Sequence, residues 1–117
     1  MKRIITFSVL TIFITLIFSS CVKERVFDER YWLSQERGVV VYSTSCSHFI
    51  VETRNGYTVV RSLDRQPYEG DVLYCDFSNY GSRDFYNYSG GIIISGNVKD
   101  YWLTSLGAQQ AVDYYCY

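Results

Sequence analysis

Two β-rich runs meet at Asn55-Gly56, and that meeting constrains the chain more than any other feature. His48-Phe49-Ile50-Val51-Glu52-Thr53-Arg54 leads in, and Tyr57-Thr58-Val59-Val60-Arg61-Ser62-Leu63 leads out. Asn and Gly both accept positive φ at low cost, so the spacing predicts a two-residue type I′ hairpin. That turn pairs Arg54 with Tyr57, Glu52 with Val59 and Ile50 with Arg61. The other face collects Phe49, Val51, Thr53, Thr58, Val60 and Ser62. It carries no charge and is expected inward, while Glu52, Arg54 and Arg61 mark a solvated face.

Strand patterning continues on both sides of the hairpin. Gly38 followed by Val39-Val40-Val41-Tyr42 reads as a short buried strand. Asp71 to Phe77 alternates, with Leu73, Cys75 and Phe77 on the apolar side and Val72, Tyr74 and Asp76 on the other. Asp84 to Tyr88 and Ile92 to Val98 flank Ser89-Gly90-Gly91, a second hairpin, with Tyr86 on one face and Phe85 and Asn87 on the other. The period then changes. Ala108, Ala111, Val112 and Tyr115 fall on one helix face, and Thr104 or Ser105 is placed to cap it.

The expected fold is mainly β: a small antiparallel barrel or sandwich of about six strands with one C-terminal helix. The helix is expected over an open end or edge, where unpaired backbone would otherwise invite aggregation. Tyr31-Trp32-Leu33 and Tyr101-Trp102-Leu103 echo each other and read as two similar wedges, packed together at the ends of the fold.

Ahead of this domain the chain has a different character. Met1-Lys2-Arg3 is charged, Ile4 to Phe18 is apolar apart from Thr and Ser hydroxyls, and Ser19-Ser20-Cys21 follows. That is the layout of a secretory signal, and the apolar run falls short of the roughly 20 residues that a membrane span needs. Phe18-Ser19-Ser20-Cys21 resembles the lipobox of bacterial lipoproteins. The resemblance implies cleavage before Cys21, a diacylglycerol thioether on its sulfur and fatty acylation such as palmitate. Plain secretion and an uncleaved anchor are the alternatives. Val22 to Arg30 is mostly charged without apolar periodicity. The expected division is therefore 1–20 signal peptide, 21–30 tether and 31–117 β-rich domain. Lipobox, short tether and β-rich domain together resemble the small lipoproteins of Gram-negative bacteria. This implies a bacterial cell-envelope location, anchored in the membrane through the N-terminal lipid and facing periplasm or cell surface.

The remaining residues exclude more chemistry than they suggest. The formal charge of −1 becomes −3 once Lys2 and Arg3 are removed, and no basic run is left, so no nucleic-acid partner is expected. Cys46, Cys75 and Cys116 are disulfide candidates in an oxidising compartment, with three pairings open and one thiol left over. They are equally readable as small buried hydrophobes. No C-x-x-C pair exists and His48 is the only histidine, so neither metal nor cofactor is expected. Cys46 and His48 could share a strand face as a thiolate–imidazole pair. The plainer reading is a bridged or buried cysteine beside an exposed histidine. Glu69, Asp71 and Asp76 could suggest paired carboxylates, but Glu69 and Asp71 flank a glycine at a strand start, where acids are ordinary. No enzyme is expected.

All twelve tyrosines and both tryptophans lie beyond Cys21. Tyr offers a flat apolar body with a polar tip, which suits interfaces, and Tyr80, Tyr86 and Tyr88 cluster around two neighbouring turns as candidate ligand-binding residues. The expected function is a non-enzymatic binding or scaffolding domain with an envelope protein or glycan partner. The alternative is a periplasmic inhibitor of a lysozyme-like or other hydrolase.

Overall fold

The computed structural model describes residues 27–117. The signal-like stretch 1–20, Cys21 and residues 22–26 of the tether lie outside the described residues. The first element is a short helix α1 (Glu29–Leu33), whose cap Asp28 accepts the Arg30 amide through its carboxylate at 3.1 Å. Six strands follow: β1 (Glu36–Ser43), β2 (His48–Thr53), β3 (Gly56–Ser62), β4 (Val72–Cys75), β5 (Gly81–Asn87) and β6 (Ile92–Leu103). Helix α2 (Ser105–Cys116) closes the chain. No described helix is long and apolar enough to cross a membrane.

The strands form a closed barrel in the order β1-β2-β3-β6-β5-β4, antiparallel throughout. Two three-stranded meanders are thus joined twice, β3 to β6 and β1 to β4. Alternation decides what fills the interior. Val40, Phe49, Val51, Val60, Leu73, Cys75, Phe77, Phe85, Ile94 and Val98 converge there, all fully or nearly buried. Each buried Val, Leu, Ile or Phe side chain contributes about 1.5–3 kcal/mol relative to exposure. Phe77 and Phe85 meet at the centre with ring centroids 5.6 Å apart. Gly96 makes that possible, because a Cβ on it would stand 2.8 Å from the Phe85 ring and 2.7 Å from Val60.

The β2–β3 hairpin turns one residue earlier than its Asn-Gly pair suggests. Thr53 pairs with Gly56, Glu52 with Tyr57, Ile50 with Val59 and His48 with Arg61, leaving Arg54 and Asn55 in the turn. Asn55 does not take positive φ, so the turn is not type I′. The Thr53 hydroxyl accepts the Asn55 amide at 3.2 Å and donates to the Gly56 carbonyl at 3.1 Å, which holds the earlier turn. Gly56 itself sits at φ +124 against the Leu103 carbonyl, where no side chain fits. The shift moves each pairing by two in total, so the faces are preserved: Phe49, Val51, Thr58 and Val60 still point inward.

The opposite face of this hairpin is not simply solvated. Ile50 and Val59 are buried there beneath Ala108 and Val112 of α2, with Tyr57, Leu103, Ala111 and Tyr115 around them. A closed barrel has no open edge, so the helix lies along the outside of β2, β3 and β6 instead. Twelve helical residues span about 18 Å, close to the length of the strands beneath. Thr104 is the cap, its hydroxyl accepting the Gly107 amide at 3.0 Å. The two Tyr-Trp-Leu wedges do not pack together. Trp32 rests on Tyr86 on the outside of β5, whereas Tyr101 pairs with Tyr80 at the other end of that strand.

Candidate functional site

The aromatic residues singled out from the sequence divide between the two ends of β5. Tyr86 and Tyr88 lie together at its C-terminal end, rings edge to face at 6.2 Å, with Tyr74 against Tyr88 at 6.1 Å. Tyr86 is only 7% exposed, because Phe27 and Trp32 cover it at 5.1 and 6.3 Å. Burial raises its phenol pKa, with the Glu29 carboxylate adding to the effect. Tyr86 therefore docks the N-terminal segment rather than facing a ligand. Tyr80 lies at the N-terminal end of β5, roughly 20 Å from Tyr86 along an extended strand.

Around Tyr80 a platform is assembled from three strand ends and two turns. Tyr80 is 64% exposed and meets Tyr101 with the rings tilted by 57° and their centroids 4.8 Å apart, and Tyr101 in turn packs against the barrel interior. Trp102 stands beside Tyr101, edge to face at 5.7 Å and 62% exposed. Its backbone is at φ +57, a region that costs a bulky L-residue of order 1–2 kcal/mol. The β3–β6 register shifts here, and the irregularity turns the indole outward.

A hydrogen-bond network then holds the indole in place. Trp102 Nε1 donates to Ser78 Oγ at 2.8 Å, and Ser78 Oγ donates to the Glu36 carboxylate at 3.1 Å. The same carboxylate accepts the Phe77 amide at 3.0 Å and Asn55 Nδ2 at 2.9 Å. Arg83 fixes the loop from below, donating to the carbonyls of Asp76 at 2.7 Å and Tyr80 at 2.6 Å. Its 3.4 Å contact with Asp76 is the one ion pair among the described residues. The Nε1 edge of the indole is thus committed, while the residue as a whole stays exposed. Two exposed rings on a rigid frame can stack on a sugar ring or receive an apolar side chain, with little ordering cost on binding.

The residues weighed for catalysis have other occupations. Cys46 is bridged to Cys116, joining the β1–β2 loop to the end of α2 with Cα atoms 5.7 Å apart. Cys46 Sγ and His48 Nδ1 do come within 3.5 Å, but a bridged sulfur is no nucleophile. His48 is buried, not exposed as the sequence suggests. Its ring stacks on Tyr115 at 5.3 Å, and Nδ1 lies 3.0 Å from the Cys46 carbonyl. Cys75 is the free thiol among the described residues, buried in the barrel and donating to the Asp84 carbonyl at 3.1 Å, with its pKa pushed up to about 12 by burial. Asp71 accepts the Tyr68 amide and Asn87 Nδ2, Asp76 accepts the Ser78 amide and Asn79 Nδ2, and Glu69 accepts the Ser43 amide. These carboxylates organise loops.

Trp102 and Tyr101 escaped the sequence reading as binding residues. Their echo of Tyr31-Trp32 was visible, but nothing in a sequence marks a tryptophan for positive φ. No protein-family model, curated protein or solved structure matches the chain.

Proposed function

We propose that this protein is a lipid-anchored cell-envelope lipoprotein whose barrel is a non-enzymatic binding domain, with Tyr80, Tyr101 and Trp102 as its contact surface. The observation that carries the reading is Trp102. An exposed indole is held in a costly backbone conformation by a buttressed hydrogen bond, and such strain clusters at functional sites. The Cys46–Cys116 bridge supports the compartment, since disulfides persist outside the cytoplasm. Engagement of Glu69, Asp71 and Asp76 in loop hydrogen bonds supports the non-enzymatic reading. The partner chemistry that suits the platform best is a glycan of the envelope, stacked by its apolar ring face on Trp102 and Tyr80.

The test uses the protein extracted from its own membrane. Its intact mass should correspond to residues 21–117 carrying a diacylglycerol and an acyl chain. Peptidoglycan fragments should then shift its tryptophan fluorescence, and Trp102→Ala should abolish that shift while leaving the circular dichroism of the barrel intact. An unprocessed mass would refute the anchor. An unchanged titration in Trp102→Ala would refute the platform, and inhibition of a lysozyme without glycan binding would favour the inhibitor alternative.

A further inference from the structure

Cys46, His48 and Cys116 bring three metal-ligating side chains to one point at the end of α2. Their ligand atoms all lie within 4.8 Å of one another. The spacing in the sequence hides this, because Cys116 arrives from 70 residues away. We propose that, when the Cys46–Cys116 bridge is reduced, these three residues form a binding site for a borderline-soft d10 cation, Zn2+. The bridge and the ion would be alternative occupants of the same two sulfurs.

The geometry supports a tetrahedral ion. Zinc sits about 2.3 Å from thiolate sulfur and about 2.0 Å from imidazole nitrogen, which places the two roughly 3.5 Å apart across a tetrahedral angle. Cys46 Sγ and His48 Nδ1 are already 3.5 Å apart. The Cα separation of 5.7 Å lets the two sulfurs part to about 3.8 Å without moving the backbone. His48 has no side-chain partner except Cys46 in the hydrogen-bonding pattern. It is only 7% exposed, and its Nε2 is buried with no hydrogen-bond partner at all. The nitrogen that faces the sulfur is Nδ1, which lies 3.0 Å from the Cys46 carbonyl, so the ion would take Nδ1 in place of that contact and the ring proton would sit on Nε2.

The frame is pre-built on one side. Thr44 Oγ1 accepts the backbone amides of both Cys46 and His48 at 3.2 Å, and Ser47 between them turns at φ +65. Two ligands are therefore held on a fixed loop, and the third is carried by the helix end. Cys46 and His48 also line a surface depression, with Arg61 and Lys99 at its rim. The chemistry balances with a dithiol as reductant. Its two electrons and two protons convert the Cys46–Cys116 bond into two thiols as the dithiol closes to its own disulfide. Zn2+ then displaces two protons and binds two thiolates and neutral His48.

The full chain in detergent, carrying Cys21→Ser and Cys75→Ala so that two thiols remain, provides the test. It is reduced with a phosphine, freed of reductant without oxygen, and titrated with Co2+ and then Zn2+. One equivalent of Co2+ should bind with thiolate charge-transfer and tetrahedral d–d bands, and Zn2+ should displace it. Oxidised protein should show neither band. His48→Gln should weaken Co2+ binding by about tenfold or more and alter the d–d bands. Near-UV circular dichroism recorded alongside reports the barrel. Absence of the thiolate band, an unchanged affinity and spectrum in His48→Gln, or a barrel that unfolds on reduction and is not restored by Co2+ would each overturn the site.

Discussion

The inside of the barrel and the layer on its outer face are built by different rules. The interior draws alternate residues from all six strands, and its members bury one another completely. The outer layer under α2 rests on four fully buried residues, Ile50, Val59, Ala108 and Val112. That is little apolar area for a 12-residue helix with a glycine in its first turn. A covalent bridge between Cys46 and Cys116 fastens the far end of that helix. Hydrophobic burial suffices where every neighbour contributes, whereas a peripheral helix with a narrow apolar face needs a staple.

The sharpest way to break this contrast is to damage the interior. Phe85→Ala removes a ring at the barrel centre and should destabilise the whole domain by about 3–5 kcal/mol. Urea denaturation should show one earlier transition for strands and helix together. Removing the staple should act differently. Cys46→Ser with Cys116→Ser opens a loop closed across 70 residues, worth about 4 kcal/mol in the chain-entropy model. Hydrogen exchange should show α2 amides losing protection first while β4 and β5 keep theirs. If all amides lose protection together, the two layers are one cooperative unit and the contrast fails.

The smallest effect sharpens the comparison through pH. The folded interior keeps the Cys75 thiol protonated up to about 12, whereas an unburied thiol ionises from its ordinary value of 9.0. Between those values the unfolded chain has lost a proton that the folded barrel retains, so stability falls as pH rises through that window and is unaffected below it. Tyr86 and, in the outer layer, Tyr115 are also raised by burial, and they act in the same direction above their ordinary value of 10.0. Cys75→Ala should flatten the first part of the decline. Urea midpoints at about pH 8 and pH 10 in both proteins check this, and equal declines would place the alkaline sensitivity outside the interior.

Much of the interior was legible in the chain because strand periodicity is local. Leu73, Cys75 and Phe77 were assigned to one buried face by alternation alone, and all three are buried. The hairpin shows why such assignments survive errors. Its turn is misplaced by one residue, yet parity keeps Phe49, Val51, Thr58 and Val60 inside. Helix α2 was legible in its apolar positions and its Thr104 cap, but not in where it docks. The candidate platform was half visible: Tyr80 was selected, Tyr86 proved to be covered, and Trp102 was overlooked.

The residue pattern by itself determined a mainly β domain, its inward faces and its C-terminal helix. Each follows from periods of two and 3.6 or from short runs of one composition. Tertiary structure decided the rest: the closure of β1 on β4, the pairing of Cys46 with Cys116 rather than Cys75, the burial of His48 and the outward turn of Trp102. These depend on which residues distant in the chain come within a few ångströms, and that is settled by packing all six strands at once, a quantity no local pattern carries.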